Sequence, residues 1–500
     1  MKKIFIISAI LFLITQSFSQ TWEQKGLDIT GSETYEQMGF TTALNETGDI
    51  MVSGRPYTDF GYSDGGSVMV FQYLLNQWVQ LGQTIHGNYT YGYLGYSIDI
   101  NALGNIIVAG AYGNNNARGE VKVYQYNNGQ WEQMGQTLSG SYDSDELGYA
   151  VSINEDGTTI ALSVAQENTS EILVGAVYIY EFDGATWNQK GNKITGVNAY
   201  DRSGNDISIN GSGDVIIIAT KGAETSNGNN SGNVKAFEWS GEAWVQKGTD
   251  IIGVHTGEYF GYSVDVDNLG ETIVVGTVRN GQQYTDAGRV AVYKYINDNW
   301  IQVGQNLYGD YANDFFGHDV AISGDGNRII CSSDYYSQAD NGKVSVFEIN
   351  QDTIILSAEF IGDNSSDLFG TSVAISQNGN TISVGAVDYD GPQNEITSMG
   401  LVRVMELNQT SIPFEPSNQK ISCYPNPAIQ YVVIENLDAK YNYLAEWFDV
   451  SGRKISQTYV SCSNNKITVP SLGDSMYLLK VSRGFYSQEF KVIVGSKALK

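Results

Sequence analysis

Phe260-Gly-Tyr-Ser-Val-Asp-Val-Asp-Asn-Leu-Gly-Glu-Thr-Ile-Val-Val-Gly276 decides the fold. Val264 and Val266 alternate with polar neighbours, which is the period of a strand with one buried face. Asp267-Asn-Leu-Gly270 then reads as a tight turn: a short side chain bonds the backbone and a glycine accepts positive φ. Ile273-Val-Val275 follows as an unbroken apolar run, the pattern of a strand buried on both faces. Working outward, Gly288-Arg-Val-Ala-Val-Tyr293 supplies a third strand, and Trp300-Ile-Gln-Val-Gly-Gln-Asn-Leu-Tyr-Gly309 a fourth. The four are called a, b, c and d.

The same text recurs along the chain. The glycine opening strand a returns as Gly39, Gly95, Gly148, Gly204, Gly261, Gly317 and Gly370, at steps of 56, 53, 56, 57, 56 and 53 residues. The a–b turn glycine is Gly48, Gly104, Gly157, Gly213, Gly270, Gly326 or Gly379, with Asn, Asp or Ser three residues earlier. The phrase Trp-x-Gln-x-Gly begins at Trp22, Trp78, Trp131, Trp187, Trp244 and Trp300, with a worn copy ending at Gly362. Repeats of this length bury their faces only by stacking on neighbours. The chain opens with a d strand, Trp22 to Ile29, that has no a, b or c before it. It closes the repeats with a, b and c, Ser372 to Leu407, and no d after them. An open stack would leave both ends as bare strand edges, whereas a ring lets the first d complete the last sheet. The expectation is an all-β, seven-bladed β-propeller over 20–408, closed by its N-terminal strand.

Composition narrows the function. The 500 residues carry 28 Lys and Arg against 55 Asp and Glu, a net charge of −27, which repels nucleic acid. Residues 20–418 hold −33 and residues 419–500 hold +4, so two regions with different jobs meet near a Pro-containing linker at 409–418. Lys2 and Lys3, the apolar run Ile4 to Ile14, and Ser17 and Ser19 have the form of a secretory signal over 1–19. The mature chain is then expected to start near Gln20, to have no transmembrane helix and to be monomeric. Cys331 reads as a small core residue, and Cys423 and Cys462 fall close enough in sequence to pair.

The phrase set of residues 22–408, as in Phe260-Gly-Tyr-Ser-Val264 followed by Val275-Gly276, resembles the FG-GAP repeats best known from the integrin alpha propeller. That family's calcium loop is replaced here by short turns with too few carboxylates to surround Ca²⁺, so no cofactor is expected. Residues 419–500 form alternating strands and turns of a small Ig-like β-sandwich. Tyr424-Pro425-Asn426-Pro427, Asp449-Val-Ser-Gly452, Tyr477-Leu-Leu-Lys-Val481 and Lys491-Val-Ile-Val494 resemble the type A C-terminal sorting domain of the type IX secretion system. The resemblance implies recognition by that machinery, a Gram-negative Bacteroidota-type cell, and release or attachment at the outer-membrane surface.

Strand alternation puts the short a–b and c–d turns on one face and the longer b–c and d–a loops on the other. Variable loops on a rigid frame are where binding groups are placed. Three residues before the central glycines stand Glu36, Asp145, Asp201, Glu258, Asp314 and Asp367, with Gly92 in the second copy. They either surround a mouth as cation or hydroxyl partners, or accept N–H groups of their own loops. Their strict period favours the second use. Tyr57, Tyr91, Tyr284 and Tyr336 fall on the same face and offer ring stacking with a hydroxyl. No HExxH, P-loop, GxSxG elbow or dinucleotide fingerprint occurs. The expectation is a non-enzymatic protein that binds an extracellular glycan or protein, as in adhesion. The alternative is a propeller enzyme that uses carboxylates of the b–c/d–a face on polysaccharide.

Overall fold

The computed structural model describes residues 20–167, 172–336, 340–351, 353–391 and 396–409 and, nearer the C-terminus, 422–424, 431–435, 442–448, 454–461, 465–469, 475–483 and 486–494. The expected leader at 1–19, nearly all of the linker, and Pro425, Asn426, Pro427, Gly452 and Cys462 lie outside these residues. Gln20–Asn408 is one compact unit, and the sequence beyond it belongs to a second.

In the first unit the described residues build seven antiparallel sheets of four or five strands. The fifth copy shows the order: Phe260–Val266, Thr272–Thr277, Arg289–Ile296 and Asn299–Tyr308 pair as a, b, c and d. Every residue of b strands Ile106–Ala111, Val215–Thr220 and Thr272–Thr277 is buried, as their continuous apolar runs require. The turn between a and b is set by its Asx side chain: Asn101 Oδ1 accepts the N–H groups of Asn105 (3.0 Å) and Ile106 (2.9 Å). Gly104 completes that turn at φ +73°.

The last sheet contains a strand from the other end of the unit. Gln20–Gln24 pairs with Leu401–Gln409, and Ile29 and Thr30 lie opposite Val402 and Leu401. Lys25 N–H donates to Val404 O (2.8 Å), and the Lys25 ammonium reaches Glu406 (2.9 Å) and Gly48 O (3.0 Å). Arg403 grips Asp28 through two bonds of 2.9 and 2.8 Å. The outer edge of the last c strand is thereby covered.

Neighbouring sheets are joined by three devices. The tryptophan phrase is the first. Trp131 Nε1 donates to Leu81 O (2.8 Å) of the preceding copy, and Trp78, Trp187, Trp244 and Trp300 do the same. Each ring covers the phrase's glycine in the preceding copy: a Cβ on Gly82 would stand 2.8 Å from Trp131 Cδ1. Trp and Gly of one motif are therefore spaced to serve two different sheets.

The second device runs between strands a. Thr41 Oγ1 donates to Gly95 O (2.9 Å), Ser97 Oγ to Gly148 O (2.8 Å), Ser263 Oγ to Gly317 O (2.9 Å) and Ser372 Oγ to Gly39 O (2.8 Å). Aspartates catch the opposing N–H groups: Asp99 accepts from Ile153 (2.9 Å), Asp206 from Val264 (2.7 Å), Asp265 from Ile322 (2.9 Å) and Asp319 from Val373 (2.7 Å). The third is a backbone series between a–b turns. Glu46 N–H donates to Ala102 O, Ala102 to Glu155, Glu155 to Gly211, Gly211 to Asn268, Asn268 to Gly324, Gly324 to Gln377, and Asn378 back to Glu46.

In the second unit Ser422–Tyr424, Tyr431–Glu435 and Lys466–Thr468 form one sheet. Asn442–Phe448, Lys454–Ser461, Ser475–Arg483 and Tyr486–Val494 form another. Both contribute to one core around Trp447, Val432, Ile467, Leu479 and Val492. Cys331 is a buried free thiol and Cys423 a half-buried one.

Removing residues 20–31 uncovers the edge of Leu401–Gln409. The shortened chain is expected to melt on the order of 10 °C lower and to self-associate, as followed by calorimetry and light scattering. Trp187→Phe deletes a bond to Met134 O and is expected to destabilise by about 1–3 kcal/mol in urea titration. Burial pushes Asp99 and Asp206 up to about 7 and Asp265 up to about 6, against the pull of their N–H donors. Between the ordinary carboxylate value and about 7 the folded chain then binds more protons than the unfolded one, so stability falls as pH rises through that window. Asp99→Asn removes one titration and should give a shallower decline of melting temperature from pH 4 to 8; an unchanged slope contradicts the assignment.

Candidate functional site

Each d–a loop is bent so that it delivers a central glycine into strand a. Gly95 has φ +89°, and a Cβ there would stand 2.6 Å from Ser67 O, so the loop passes where only glycine fits. The residues directly after the central glycines lie in strand a or within two residues of its start, and they are Phe40, Tyr96, Tyr149, Asn205, Tyr262, His318 and Thr371. All seven line one cavity of about 480 Å³, together with Lys221, Asp206, Asp319, Asp334 and Tyr335. Every copy contributes, yet the lining is unequal. Phe40, Tyr96 and Tyr149 stand on one side, and Asn205, His318 and Thr371 replace aromatics of the same register elsewhere.

The aromatic side extends through the loops of the first three copies. Phe40 packs edge-on against Tyr57 (5.6 Å) and tilted against Tyr96 (5.1 Å). Tyr57 meets Tyr93 (5.6 Å), Tyr93 stacks on Tyr112 (5.2 Å), and Tyr112 and Tyr96 both reach Tyr149 (5.8 and 5.3 Å). Burial raises the phenol pKa values of Tyr57, Tyr93, Tyr96 and Tyr112, which keeps these hydroxyls protonated as donors. A second cavity, of about 760 Å³, adjoins through Phe40, Leu368 and Val387; Tyr57, Glu33, Asp59, Asp64 and Asp388 line it.

Across the smaller cavity stand His318 and Asp334, with His318 Nε2 3.5 Å from Asp334 Oδ2. Tyr262 tilts against His318 (5.3 Å), and the Lys221 ammonium sits 4.6 Å over the Tyr262 ring. Burial pushes Tyr262 up to about 12 and also raises Asp334 above the usual carboxylate value.

The six periodic carboxylates are buried and engaged within their own loops. Asp145 accepts the N–H groups of Ser141 (2.9 Å) and Tyr142 (2.8 Å), and Asp201 those of Val197 (3.1 Å) and Asn198 (2.8 Å). Asp314 accepts from Tyr311 N–H (2.8 Å) and Asp367 from Asn364 Nδ2 (3.0 Å). Where the residue is glutamate the longer arm also meets an arginine: Glu36 pairs with Arg55, and Glu258 with Arg289 (3.3 Å). The second copy departs from the pattern because Asn114 Oδ1 occupies the position a side chain on Gly92 would take, 2.2 Å from its Cβ.

Of the four tyrosines singled out in the sequence, Tyr57 lines the larger cavity, and Tyr91 is exposed at the edge of its aromatic group, 6.4 Å from Tyr93. Tyr284 is exposed elsewhere, and Tyr336 packs on Tyr311 (5.6 Å) beneath the Lys343 ammonium (4.6 Å). The structure therefore does not gather these four. The residues after the central glycines are a set that loop composition did not reveal. Their signal was positional: each stands directly after a central glycine, two residues before the first core residue of strand a. Among the described residues no group of three His, Cys, Asp or Glu side chains is placed to hold a metal ion.

In the second unit Tyr424 lies on the strand Ser422–Tyr424 and Lys491 on Tyr486–Val494. No curated protein matches the chain. Residues 422–495 match the family described as the secretion system C-terminal sorting domain. No helix among the described residues is long and apolar enough to cross a membrane. The protein carries the sorting signal of type IX secretion and is secreted or held on the outer-membrane surface of a Bacteroidota-type bacterium.

Proposed function

We propose that residues 20–408 form a closed seven-bladed β-propeller of the FG-GAP kind, freed of its leader and exported by its Ig-like C-terminal domain. Outside the cell it binds an extracellular partner, a glycan first of all, and performs no chemistry. Three observations support closure: the N-terminal strand in the last sheet, Ser372 on Gly39, and the turn-to-turn backbone series that returns to Glu46. The observation that carries the binding reading is the cavity to which every copy contributes, flanked on one side by tyrosines whose hydroxyls stay protonated. Such rings stack on apolar sugar faces while their hydroxyls bond sugar oxygens. The unequal lining matters here, because a ligand lacking sevenfold symmetry needs an asymmetric seat.

The competing reading, polysaccharide hydrolysis by the loop carboxylates, has weaker support. Those groups are occupied by backbone donors and arginines rather than free to face a scissile bond. A glycan array probed with the purified chain, followed by product analysis of any glycan retained, separates the two. Retention without released sugar is expected; released sugar overturns the non-enzymatic reading, and an array with no retained glycan removes glycans as the partner. Tyr149→Ala is expected to weaken a retained glycan by about tenfold, in keeping with the loss of one stacking ring. Chelation with EDTA should leave the melting temperature unchanged, since the a–b turns close on Asx side chains instead of a cation.

A further inference from the structure

We infer that the two adjoining cavities form one groove for an uncharged polysaccharide segment several sugar units long, with Tyr35 and Tyr57 as platforms for the units beyond the smaller cavity. The inference rests on the glycan reading above and adds the length and charge of the ligand.

Length follows from shape. Phe40, Leu368 and Val387 line both cavities, so the spaces of about 480 and 760 Å³ meet along a shared wall. Either one alone lies within the roughly 300–1,000 Å³ that takes a drug-sized molecule, so the pair has room for more than one sugar ring. The aromatic row continues across the junction. Tyr149 and Tyr96 (5.3 Å apart) line the smaller cavity, Phe40 follows at the shared wall (5.1 Å from Tyr96), and Tyr57 lies in the larger cavity (5.6 Å from Phe40). Such a row suits successive rings of one chain.

Tyr35 shows a cost without a structural return. Four residues before the central glycine the loop is left-handed in all seven copies, with φ from +57° at Tyr91 to +74° at Gly257. Gly257 and Asn313 suit that conformation, whereas a bulky side chain is strained there. Tyr35 and Tyr91 occupy it all the same, 60% and 56% exposed, so burial repays little of the strain. Tyr35 lines the larger cavity, and Tyr91 extends the row through Tyr93 (6.4 Å), which meets Tyr57 (5.6 Å). Tyr200 shares the conformation in the fourth copy but lines neither cavity, so strain marks this site only where it coincides with the groove.

Charge follows from the lining. Glu33, Asp59, Asp64 and Asp388 line the larger cavity, in a region of net charge −33 over 20–418. A uronate or sulfated chain is repelled there. These carboxylates exclude anions and leave the contacts to the rings: Asp59 is turned to the Asp64 N–H (2.7 Å), and Glu36 in the same lining is paired with Arg55.

A glycan array bearing dimers and hexamers of neutral hexoses, uronic acids and sulfated hexoses, probed with the purified full chain, tests length and charge together. Calorimetric titration of the best-retained sugar is expected to show the neutral hexamer binding at least about tenfold tighter than its dimer, with no retention of anionic hexamers. Equal affinity of dimer and hexamer overturns the joined groove, and retention of an anionic hexamer overturns the charge rule; each leaves the glycan reading intact. An array with no retained glycan overturns both readings, as does tighter binding of a lysine hexamer than of any neutral glycan. Tyr35→Asn installs the residue that the sixth copy carries at this position. It should remove the advantage of the hexamer while the melting temperature stays at or above that of the parent, an outcome that damaged folding does not mimic. A lower melting temperature, or an unchanged hexamer advantage, overturns the role of Tyr35.

Discussion

The free edge of strand a is the constraint on which the rest of the first unit depends. An antiparallel sheet ends in a row of N–H and C=O groups, and buried ones must find partners. Here the partners are side chains of the adjoining copy: hydroxyls of Thr41, Ser97, Ser263 and Ser372 for carbonyls, and carboxylates of Asp99, Asp206, Asp265 and Asp319 for N–H groups. Short polar residues at alternate positions of strand a thus do the work that another strand would do in a continuous sheet. Because each bond crosses between copies, the spacing of the repeat and the positions of the residues after the glycines are set together.

That arrangement explains why buried acids are retained. Asp99, Asp206 and Asp265 are raised well above ordinary carboxylates by burial, which costs stability at neutral pH, yet each holds an otherwise unpaired N–H of its neighbour. It also separates two uses of acid in the same chain. The carboxylates of the d–a loops brace their own loops, whereas Asp334 pairs with His318 in the lining of a cavity. The overall charge of −27 is compatible with both, and composition does not distinguish them.

The two units carry separate parts of the biology. Residues 422–495 hold the address for export, and the repeats are the part that it carries. In the proposed propeller the a–b turns are tied to one another by backbone bonds, which leaves the b–c and d–a loops free to differ. The first three copies place Phe40, Tyr96 and Tyr149 after their central glycines, whereas the later ones place Asn205, Tyr262, His318 and Thr371, so a repeated frame carries a non-repeating cavity lining.

Much of this was legible in the residues alone, because strand period, turn chemistry and repeat length are local. The apolar run Ile273-Val-Val275 announces a strand buried on both faces, Asn101 with Gly104 announces its turn, and Tyr424-Pro-Asn-Pro427 announces the sorting domain. Periodicity even marked the six loop carboxylates as bracing groups, since a role repeated in six of seven copies is a role in the frame. The site was not legible. Phe40, Tyr149 and His318 are more than a hundred residues apart in the chain, and only the stacking of sheets brings them to one cavity. Nor does any local pattern show that Asp334 stands beside His318 while Asp145 takes two N–H groups of its own loop. Those are facts about neighbours in space, and they follow from packing that connects every copy to the next.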